Sequence, residues 1–400
     1  MVRIAAVVAF VAAAFLAGCG GAPQVHAVAA GDLHSMALDG AGRLWAWGAN
    51  ESGQLGDGTT QDRTIPVRVP GIRGVVAAAG GARHTVALRA NGTVWTWGGN
   101  EHGQLGDGSP ANRGAPARVE GLDDVTAISA GWAHSAALRR DGSVWTWGLN
   151  AGGELGDGTT EDRRRPARVE GLPPIRAVSC GAHHTLALAA DGSLWAWGPN
   201  GDGRLGDGTT VDRPKPVRVT VPEGTVIAAV AAGGYHNVAL TDKGEVLAWG
   251  ANWSEAWQLA NTTTMSSTRP VPVAANRKLE ALGWPVIPTK EPFRALDGVK
   301  TICAGAFHSL AVPTDGAMLA WGQNARWGQL GVGPADWFPN VETVRNVRAP
   351  RAMAAGKYHS LAVTSDGKLV SWGGNNRGQL GLGTADMLPH GIAFVVPIGR

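Results

Sequence analysis

The sequence has little net charge and lacks the short patterns that mark common catalytic sites. Its formal charge is +3 over 400 residues, with acidic and basic residues interspersed, which is too weak a field to indicate nucleic-acid binding. Neither HExxH, GxxxxGK nor GxSxG occurs, so metalloprotease, phosphate-loop and serine-hydrolase sites are not indicated. We therefore expect no enzyme, no metal, no cofactor and no nucleic-acid partner.

The N-terminus reads as a targeting segment. Arg3 precedes an apolar run over residues 4–15, which is too short for a membrane-spanning helix and typical of a signal peptide. The following Leu-Ala-Gly-Cys resembles the lipobox of bacterial lipoproteins, which implies that Cys19 is lipidated. The sequence thus predicts a signal peptide over 1–19, a tether over 20–24 and lipid anchoring in the cell envelope, with Gly20 slightly favouring the outer membrane. An ordinary secretory signal is the alternative.

One sequence motif recurs seven times along the rest of the chain. It consists of a glycine, two variable residues, a histidine, an alternating apolar stretch, a turn such as Asp-Gly, and a Trp-Gly pair. A period near 50 residues with alternation typical of strands indicates propeller blades. We predict an all-β, seven-bladed propeller of four-stranded antiparallel blades over residues 25–400. The repeat histidines are His34, His84, His134, His184, His236, His308 and His359.

The second repeat predicts strands over 75–79, 85–88, 93–97 and 117–119. Small residues always precede the repeat glycine, which places that strand innermost, where neighbouring backbones crowd. Because residues 390–396 stand where earlier repeats carry their fourth strand, we expect them to complete the first blade and close the ring. The eleven repeat tryptophans should pack between blades.

Three further polar features are predicted to be structural. Residues placed once per blade cannot converge on a metal, so the repeat histidines should hydrogen-bond the turn after each inner strand. The pairs Asp62-Arg63, Asp162-Arg163 and Asp212-Arg213 should be ion pairs that fix loops. Cys180 and Cys303 stand in different registers before Gly181 and Gly305, so they should remain unpaired and buried.

The repeat resembles that of the regulator of chromosome condensation family. Residues 131–138, 141–148 and 103–106 carry the resemblance, which extends from about residue 25 to the C-terminus. It implies a propeller; the eukaryotic namesake is a nucleotide exchange factor that binds chromatin, and secreted bacterial relatives include an inhibitor that covers β-lactamases with an aromatic-rich face. The export signal and the lack of a basic tail favour the second precedent.

Departures from the repeat indicate a binding surface. Strand directions place the GxxH loops and the Trp-Gly-x-Asn loops on one face, the GxxH face, and the Asp-Gly turns on the opposite Asp-Gly face. Aromatic and arginine residues, which are enriched in interaction hot spots, cluster on the GxxH face of blades five to seven. They are Tyr235, Trp253, Trp257, Phe307, Arg326, Trp327, Tyr358 and Arg377. Alternatively, the degenerate fifth repeat merely repacks its own loops.

These features together predict a monomeric, exported propeller that binds a protein or another macromolecule through one face. A surface protein that binds or cleaves polysaccharide is the alternative, because tryptophans also stack on sugars, and an exchange-factor-like regulator is a weaker one. An insertion near 276–297, which contains Trp284, should form a surface loop.

Overall fold

The computed structural model describes residues 24–253, 257–261, 265–274, 295–333 and 340–399. Over these residues the chain forms seven four-stranded antiparallel sheets, each built from four consecutive strands. The prediction of a seven-bladed, all-β propeller is confirmed. Cys19, the predicted signal peptide 1–19, most of the tether 20–24 and most of the insertion 276–297 lie outside the described residues. Within those ranges, no helix is long and apolar enough to cross a membrane.

The strands are numbered along the chain, four to a blade, from the axis outward. They are β1 Val25–Ala30, β2 His34–Asp39, β3 Leu44–Gly48, β4 Arg63–Arg68; β5 Val75–Gly80, β6 His84–Arg89, β7 Val94–Gly98, β8 Arg113–Arg118; β9 Val125–Ala130, β10 His134–Arg139, β11 Val144–Gly148, β12 Arg163–Arg168; β13 Ile175–Cys180, β14 Thr185–Ala189, β15 Leu194–Gly198, β16 Arg213–Arg218; β17 Ile227–Ala232, β18 His236–Thr241, β19 Val246–Gly250, β20 Ser267–Pro272; β21 Val299–Ala304, β22 His308–Pro313, β23 Ala317–Gly322, β24 Glu342–Arg348; β25 Ala352–Ala355, β26 His359–Val363, β27 Leu369–Asn375 and β28 Asp386–Val395.

Ring closure differs from the prediction. The C-terminal strand β28 pairs with β27 of its own repeat, with Val395 opposite Val370, so the expectation that it completes the first blade is wrong. Each fourth strand pairs with the third strand of the same repeat, and sequence repeat and blade therefore coincide. In the second blade this strand also begins at Arg113, four residues before the predicted 117.

Contacts between blades close the ring instead. The seven Trp-Gly tryptophans are fully buried between blades, which confirms the predicted packing role for seven of the eleven repeat tryptophans. The other four, Trp45, Trp95, Trp145 and Trp195, are half-buried. Each indole Nε1 donates to a backbone carbonyl of the preceding blade: Trp97 donates to Gln54 at 2.9 Å, and Trp47 of the first blade donates to Gln379 of the last, also at 2.9 Å. The seam between the first and last blades therefore repeats the other junctions.

This packing explains the second glycine of the Gly-Gln-Leu-Gly motif. Gly56 has a φ of 71°, and a Cβ built on it would lie 2.6 Å from Nε1 of Trp97 in the next blade. A side chain there would displace the indole, because protein interiors leave little free volume. The glycine and the tryptophan of the following repeat are thus two halves of one contact.

Cys180 and Cys303 are both free, as predicted. Cys180 is buried, whereas Cys303 is half-buried rather than buried.

Candidate functional site

The seven repeat histidines form a continuous belt beneath the GxxH face. Each is fully buried, and its Nε2 atom lies 2.6 to 3.1 Å from a side-chain oxygen at the start of the second strand in the next blade. The expectation that these histidines bond the following turn is wrong, because the imidazole spans the gap between blades. The pairs are His34–Thr85, His84–Ser135, His134–Thr185, His184–Asn237, His236–Ser309, His308–Ser360 and His359–Ser35.

The hydrogen-bond pattern places a hydrogen on Nε2 of these histidines, and their lowered pKa then fixes the protonation state of the belt. Thr185 donates its hydroxyl hydrogen to the carbonyl of Glu154 at 3.0 Å, so His134 must donate to it through Nε2–H. Asn237 gives the same answer, since its Oδ1 can only accept from His184. Burial lowers the pKa of His134 to about 4 and of His184 to about 3. The belt is therefore neutral and structural.

The arginines that follow the Trp-Gly-x-Asn loops pair with other aspartates than the predicted ones. Arg63 pairs with Asp57 at 2.7 Å rather than with its neighbour Asp62, whose Oδ1 instead accepts from the amide of Asn50 at 2.8 Å. The same arrangement recurs in blades three and four. Adjacent residues in an extended strand point to opposite sides, so an aspartate and the arginine that follows it bind different groups of the same loop.

An unbroken series of ring contacts follows the rim of the GxxH face. We call this series the aromatic arc. Its successive centroid distances are His102–Trp132 6.3 Å, Trp132–His183 5.4 Å, His183–Tyr235 6.4 Å, Tyr235–Trp253 5.0 Å, Tyr235–Phe307 5.9 Å, Trp253–Phe307 6.1 Å, Phe307–Tyr358 5.7 Å and Tyr358–Trp327 5.7 Å.

The arc joins GxxH loops to Asn loops, which confirms that both loop types share one face. Predicted residues Tyr235, Trp253, Phe307, Trp327 and Tyr358 all belong to it. Sequence reasoning missed His102, Trp132 and His183, which extend the arc back to blades two to four. A usable signal existed: Trp132 departs from the repeat as clearly as Trp253 does.

Exposure divides the arc into accessible and supporting rings. Trp132 and Trp253 are 42% and 41% exposed, whereas Trp327 is only 7% exposed. Tyr235, Phe307 and Tyr358 are half-buried. Two large apolar rings therefore face solvent on a base of packed aromatic side chains, an arrangement that fixes their orientation before any partner arrives.

Cations lie against three rings of the arc. Arg204 lies 4.9 Å from the ring centroid of Tyr235, Arg326 lies 4.9 Å from that of Trp327, and the Lys357 ammonium lies 5.6 Å from that of Tyr358. Such cation–π contacts stabilise the rings in place. Trp257, another predicted site residue, is half-buried and donates its amide to the Trp253 carbonyl at 3.1 Å, which holds the Trp253 loop.

A charged sector completes the rim where the last blade meets the first. Arg377, predicted as a binding anchor, forms ion pairs with Asp62 and with Glu51, the first at 2.6 Å. Lys357 lies 3.7 Å from Asp32. Burial raises the pKa of Asp32, an effect that Lys357 opposes. Arg377 thus joins two blades, and the GxxH face has an aromatic side and an ion-paired side.

The centre of this face is a shallow recess at the end of the axial channel. It encloses about 120 Å³ and is lined by the repeat glycines, Asp32 and Trp132. Within the described residues, no group of three or more histidine, cysteine, aspartate or glutamate side chains is placed to hold a metal ion. The face presents apolar rings, and the recess is lined largely by backbone.

The sequence matches models of RCC1-type families. Residues 12–182 match the model described as RCC1-like domain, and residues 191–240 match the Regulator of chromosome condensation (RCC1) repeat. A second RCC1-repeat model matches residues 175–204, 299–326 and 351–379. The matches cover repeats in both halves of the ring.

The sequence also matches parts of several characterised proteins. The mitochondrial RCC1 domain-containing protein RUG3 of Arabidopsis thaliana is 34% identical over 158 residues, covering 39% of this chain and 32% of that protein. Protein pim1 of Schizosaccharomyces pombe is 33% identical over 178 residues, covering 40% and 29%. The chain therefore matches about a third of the length of these relatives.

Solved structures extend the similarity to most of the chain. Human WBSCR16 superimposes with a TM-score of 0.72 at 22% identity, covering 86% of this chain and 88% of that one. Prp20p of Saccharomyces cerevisiae, described with its binding to Gsp1p and histones, gives 0.72 at 23% identity, covering 88% and 85%. At these identities the likeness shows the fold.

Proposed function

We propose that this chain, which belongs to the family of seven-bladed propellers built from RCC1 repeats, binds a partner protein through its aromatic arc. The observation that carries the proposal is the pair Trp132 and Trp253, each more than 40% exposed although tryptophan is usually among the more buried residues. Both are held by ring contacts to half-buried neighbours. Rigid aromatic anchors of this kind dominate the energy of protein interfaces.

Relatives provide a precedent for protein binding. Prp20p is described with its binding to Gsp1p and histones, and yeast RCC1 (Prp20) has been solved bound to Kap60. Those partners belong to the relatives. We propose a partner other than those of the relatives, because the aromatic side of the GxxH face is formed by residues that depart from the repeat of this chain.

The test begins with capture of a partner by the purified chain and measurement of its dissociation constant. Trp132→Ala, Trp253→Ala and Tyr235→Ala should each weaken binding tenfold or more, since losing an anchor costs about 2 kcal/mol and about 1.4 kcal/mol is one decade. Folding should persist for the two tryptophan variants because their rings are partly in solvent.

Matched controls separate the arc from the rest of the surface. Phe394→Ala removes a 37% exposed ring from the outer strand β28, and Lys243→Ala and Lys368→Ala alter the Asp-Gly face. All three should leave the affinity unchanged. Loss of binding in these controls with retention in the arc variants would place the interface elsewhere.

Polysaccharide binding is the second candidate, favoured by the same exposed tryptophans, because aromatic rings also stack on sugar faces. A soluble glycan that competes with the protein partner, or that binds the wild-type chain and fails to bind Trp132→Ala, would support it. Product release from the glycan would indicate cleavage. We propose binding without turnover.

Export and lipid anchoring are proposed from the N-terminal sequence alone. β1 begins at Val25 beside Asp39 on the Asp-Gly face. Six residues from Cys19 to Gln24 reach roughly 20 Å at most. A lipid on Cys19 would therefore hold the Asp-Gly face toward the membrane and leave the aromatic arc directed away from it.

A further inference from the structure

An open cleft lies between blades one and two at the Asp-Gly face, on the opposite face from the aromatic arc. It encloses about 530 Å³, within the range of sites that take small molecules. Its lining includes Arg68 at the end of β4, Ile72 and Arg73 in the loop that leads to the second blade, Arg89 at the end of β6, and Trp95 in β7. No acidic residue lines the cleft, so the charge of its lining is entirely positive.

Arg89 is fixed in place with one edge of its guanidinium free. Its Nε donates to the Arg73 carbonyl at 2.8 Å, and its guanidinium lies 5.6 Å from the ring centroid of Trp95. The Trp95 indole in turn donates to the Thr93 hydroxyl at 3.3 Å. Within the described part of the chain, the two terminal nitrogens of Arg89 make no hydrogen bond. They can therefore present two parallel donors to an oxyanion.

The other two arginines of the cleft are also without a counter-charge. Arg68 and Arg73 are exposed, and neither side chain forms an ion pair or a hydrogen bond with any residue that the structure describes. Like charges that line one cleft repel one another, and a bound anion converts that repulsion into attraction.

The next junction has the same geometry but is neutralised. Between blades two and three, the Nε of Arg139 donates to the Asp123 carbonyl at 2.8 Å, and its guanidinium lies 5.1 Å from the Trp145 ring centroid. Asp123 occupies the position that Arg73 holds one repeat earlier. Its carboxylate accepts a hydrogen bond from Arg118 at 2.6 Å, so an internal acid fills the role that an external anion would have in the first cleft.

The third junction has lost the feature. Between blades three and four, Ala189 stands where the stacked arginine would be, and Arg168 lies 3.7 Å from Glu170. Of these three junctions, only the first keeps three arginines without a carboxylate partner. The cationic cleft is therefore a departure from the repeat, as the aromatic arc is.

We propose that this cleft binds a phosphate monoester, with the phosphoryl oxygens held by Arg89, Arg73 and Arg68. A monoester carries nearly two negative charges at neutral pH and offers three strong acceptor oxygens, which suits a cluster of three guanidinium groups. The same group occurs on soluble molecules and on lipid head groups. This site does not depend on protein binding at the aromatic arc, and either proposal can fail alone.

Calorimetric titration of the purified chain with glycerol 3-phosphate at low ionic strength tests the site. We expect one molecule bound per chain. Glycerol, which lacks the phosphoryl group, should not bind, and added salt should weaken the binding of glycerol 3-phosphate because the cleft is open to solvent. Vesicles of phosphatidylcholine with and without phosphatidic acid present the same monoester on a lipid.

Charge substitutions with matched controls identify the contacts. Arg73→Asp places in the cleft the acid that neutralises the next junction, and it should weaken binding tenfold or more. Arg68→Ala should also weaken binding, because it removes a charged donor. Arg140→Asp makes the first charge change elsewhere on the Asp-Gly face, and Arg118→Ala removes the equivalent of Arg68 from the next junction. Both controls should leave the affinity unchanged, and all four side chains are exposed, so folding should persist.

The outcomes separate the two sources of the phosphate. Binding of glycerol 3-phosphate that is lost in Arg73→Asp supports a soluble ligand. Binding to phosphatidic acid vesicles alone, again lost in Arg73→Asp, assigns the phosphate to a lipid head group. The proposal is overturned if neither probe binds, if Arg73→Asp binds as the wild type does, or if Arg140→Asp loses as much affinity as Arg73→Asp, since equal losses would show only a diffuse attraction of the face for anions.

Discussion

Acidification should unfold this propeller in the pH range in which the histidines of the unfolded chain become protonated. Burial lowers the pKa of the seven belt histidines to about 3 or 4, whereas an unfolded histidine has a pKa of about 6.5. Between these values the unfolded chain binds protons that the folded chain excludes. The free energy of unfolding is therefore at its full value above pH 6.5 and falls as the pH falls toward 4.

The number of histidines makes the effect large. Each contributes about 1.4 kcal/mol per pH unit once its unfolded form is protonated, so seven together approach roughly 10 kcal/mol per unit. A domain is stable by about 5–15 kcal/mol in total. We expect the free energy of unfolding to approach zero by about pH 5.

Carboxylates do not produce this loss. Burial raises the pKa of Asp32 and Glu342, so the folded state binds their protons first and they oppose it, whereas carboxylates with a lowered pKa titrate in a lower window. Burial of Asp157 favours its neutral form, but hydrogen bonds from Thr159 and Arg163 outweigh burial and lower its pKa below the usual value of 3.8. Its contribution is present above that value and is lost as the pH falls further. A steep loss between pH 6.5 and 5 therefore reports the histidines.

Urea unfolding followed by tryptophan fluorescence from pH 8 to 5 measures this slope directly. With an unchanged dependence on urea concentration, the pH slope gives the number of protons taken up on unfolding. His184→Gln, which keeps a donor toward Asn237, should reduce the uptake by about one proton at pH 5.5. A wild-type uptake below two protons, or no change in this variant, would refute the neutral belt.

Three further predictions concern individual contacts. Thr185→Val should lower the free energy of unfolding by about 1–3 kcal/mol, because it leaves the buried His134 Nε2–H without an acceptor; urea unfolding measures it, and an unchanged midpoint would contradict the belt. Arg377→Ala should lower the free energy of unfolding by no more than about 1 kcal/mol in the same assay, because its ion pairs with Asp62 and Glu51 are partly exposed. The same variant should leave the affinity for the partner nearly unchanged. A tenfold loss of affinity would show that Arg377 is a binding anchor. Cys19→Ala should abolish fatty-acid labelling and processing of the precursor; equal labelling of the variant would exclude lipidation there.

Local sequence was sufficient for the interior of each blade. The small residues before each repeat glycine predicted the innermost strand, and alternation predicted the strands that follow it, because both patterns act within one hairpin. The second repeat shows the limit: β8 begins at Arg113 rather than near 117, since its pairing with β7 contains a register shift between Thr96 and Gly98 that alternation does not reveal.

Contacts between blades were harder to predict because they join residues about 50 positions apart. The partner of His134 is Thr185, one blade farther along, and the sequence shows both residues without showing how far one blade is offset from the next. Arg377 likewise looked like a free cation on the binding face, and only the closed ring brings Asp62 of the first blade beside it.

The sequence by itself determined the repeat, the number of blades and the loops that share a face, because each blade is a local unit whose exposed sides must be covered by identical neighbours. The tertiary structure alone decided which rings meet. Trp132 and His183 occupy different positions of their repeats, yet their centroids lie 5.4 Å apart, because the rotation between adjacent blades brings one loop over the next. The aromatic arc is thus a property of ring geometry acting on residues that the repeat leaves free to vary.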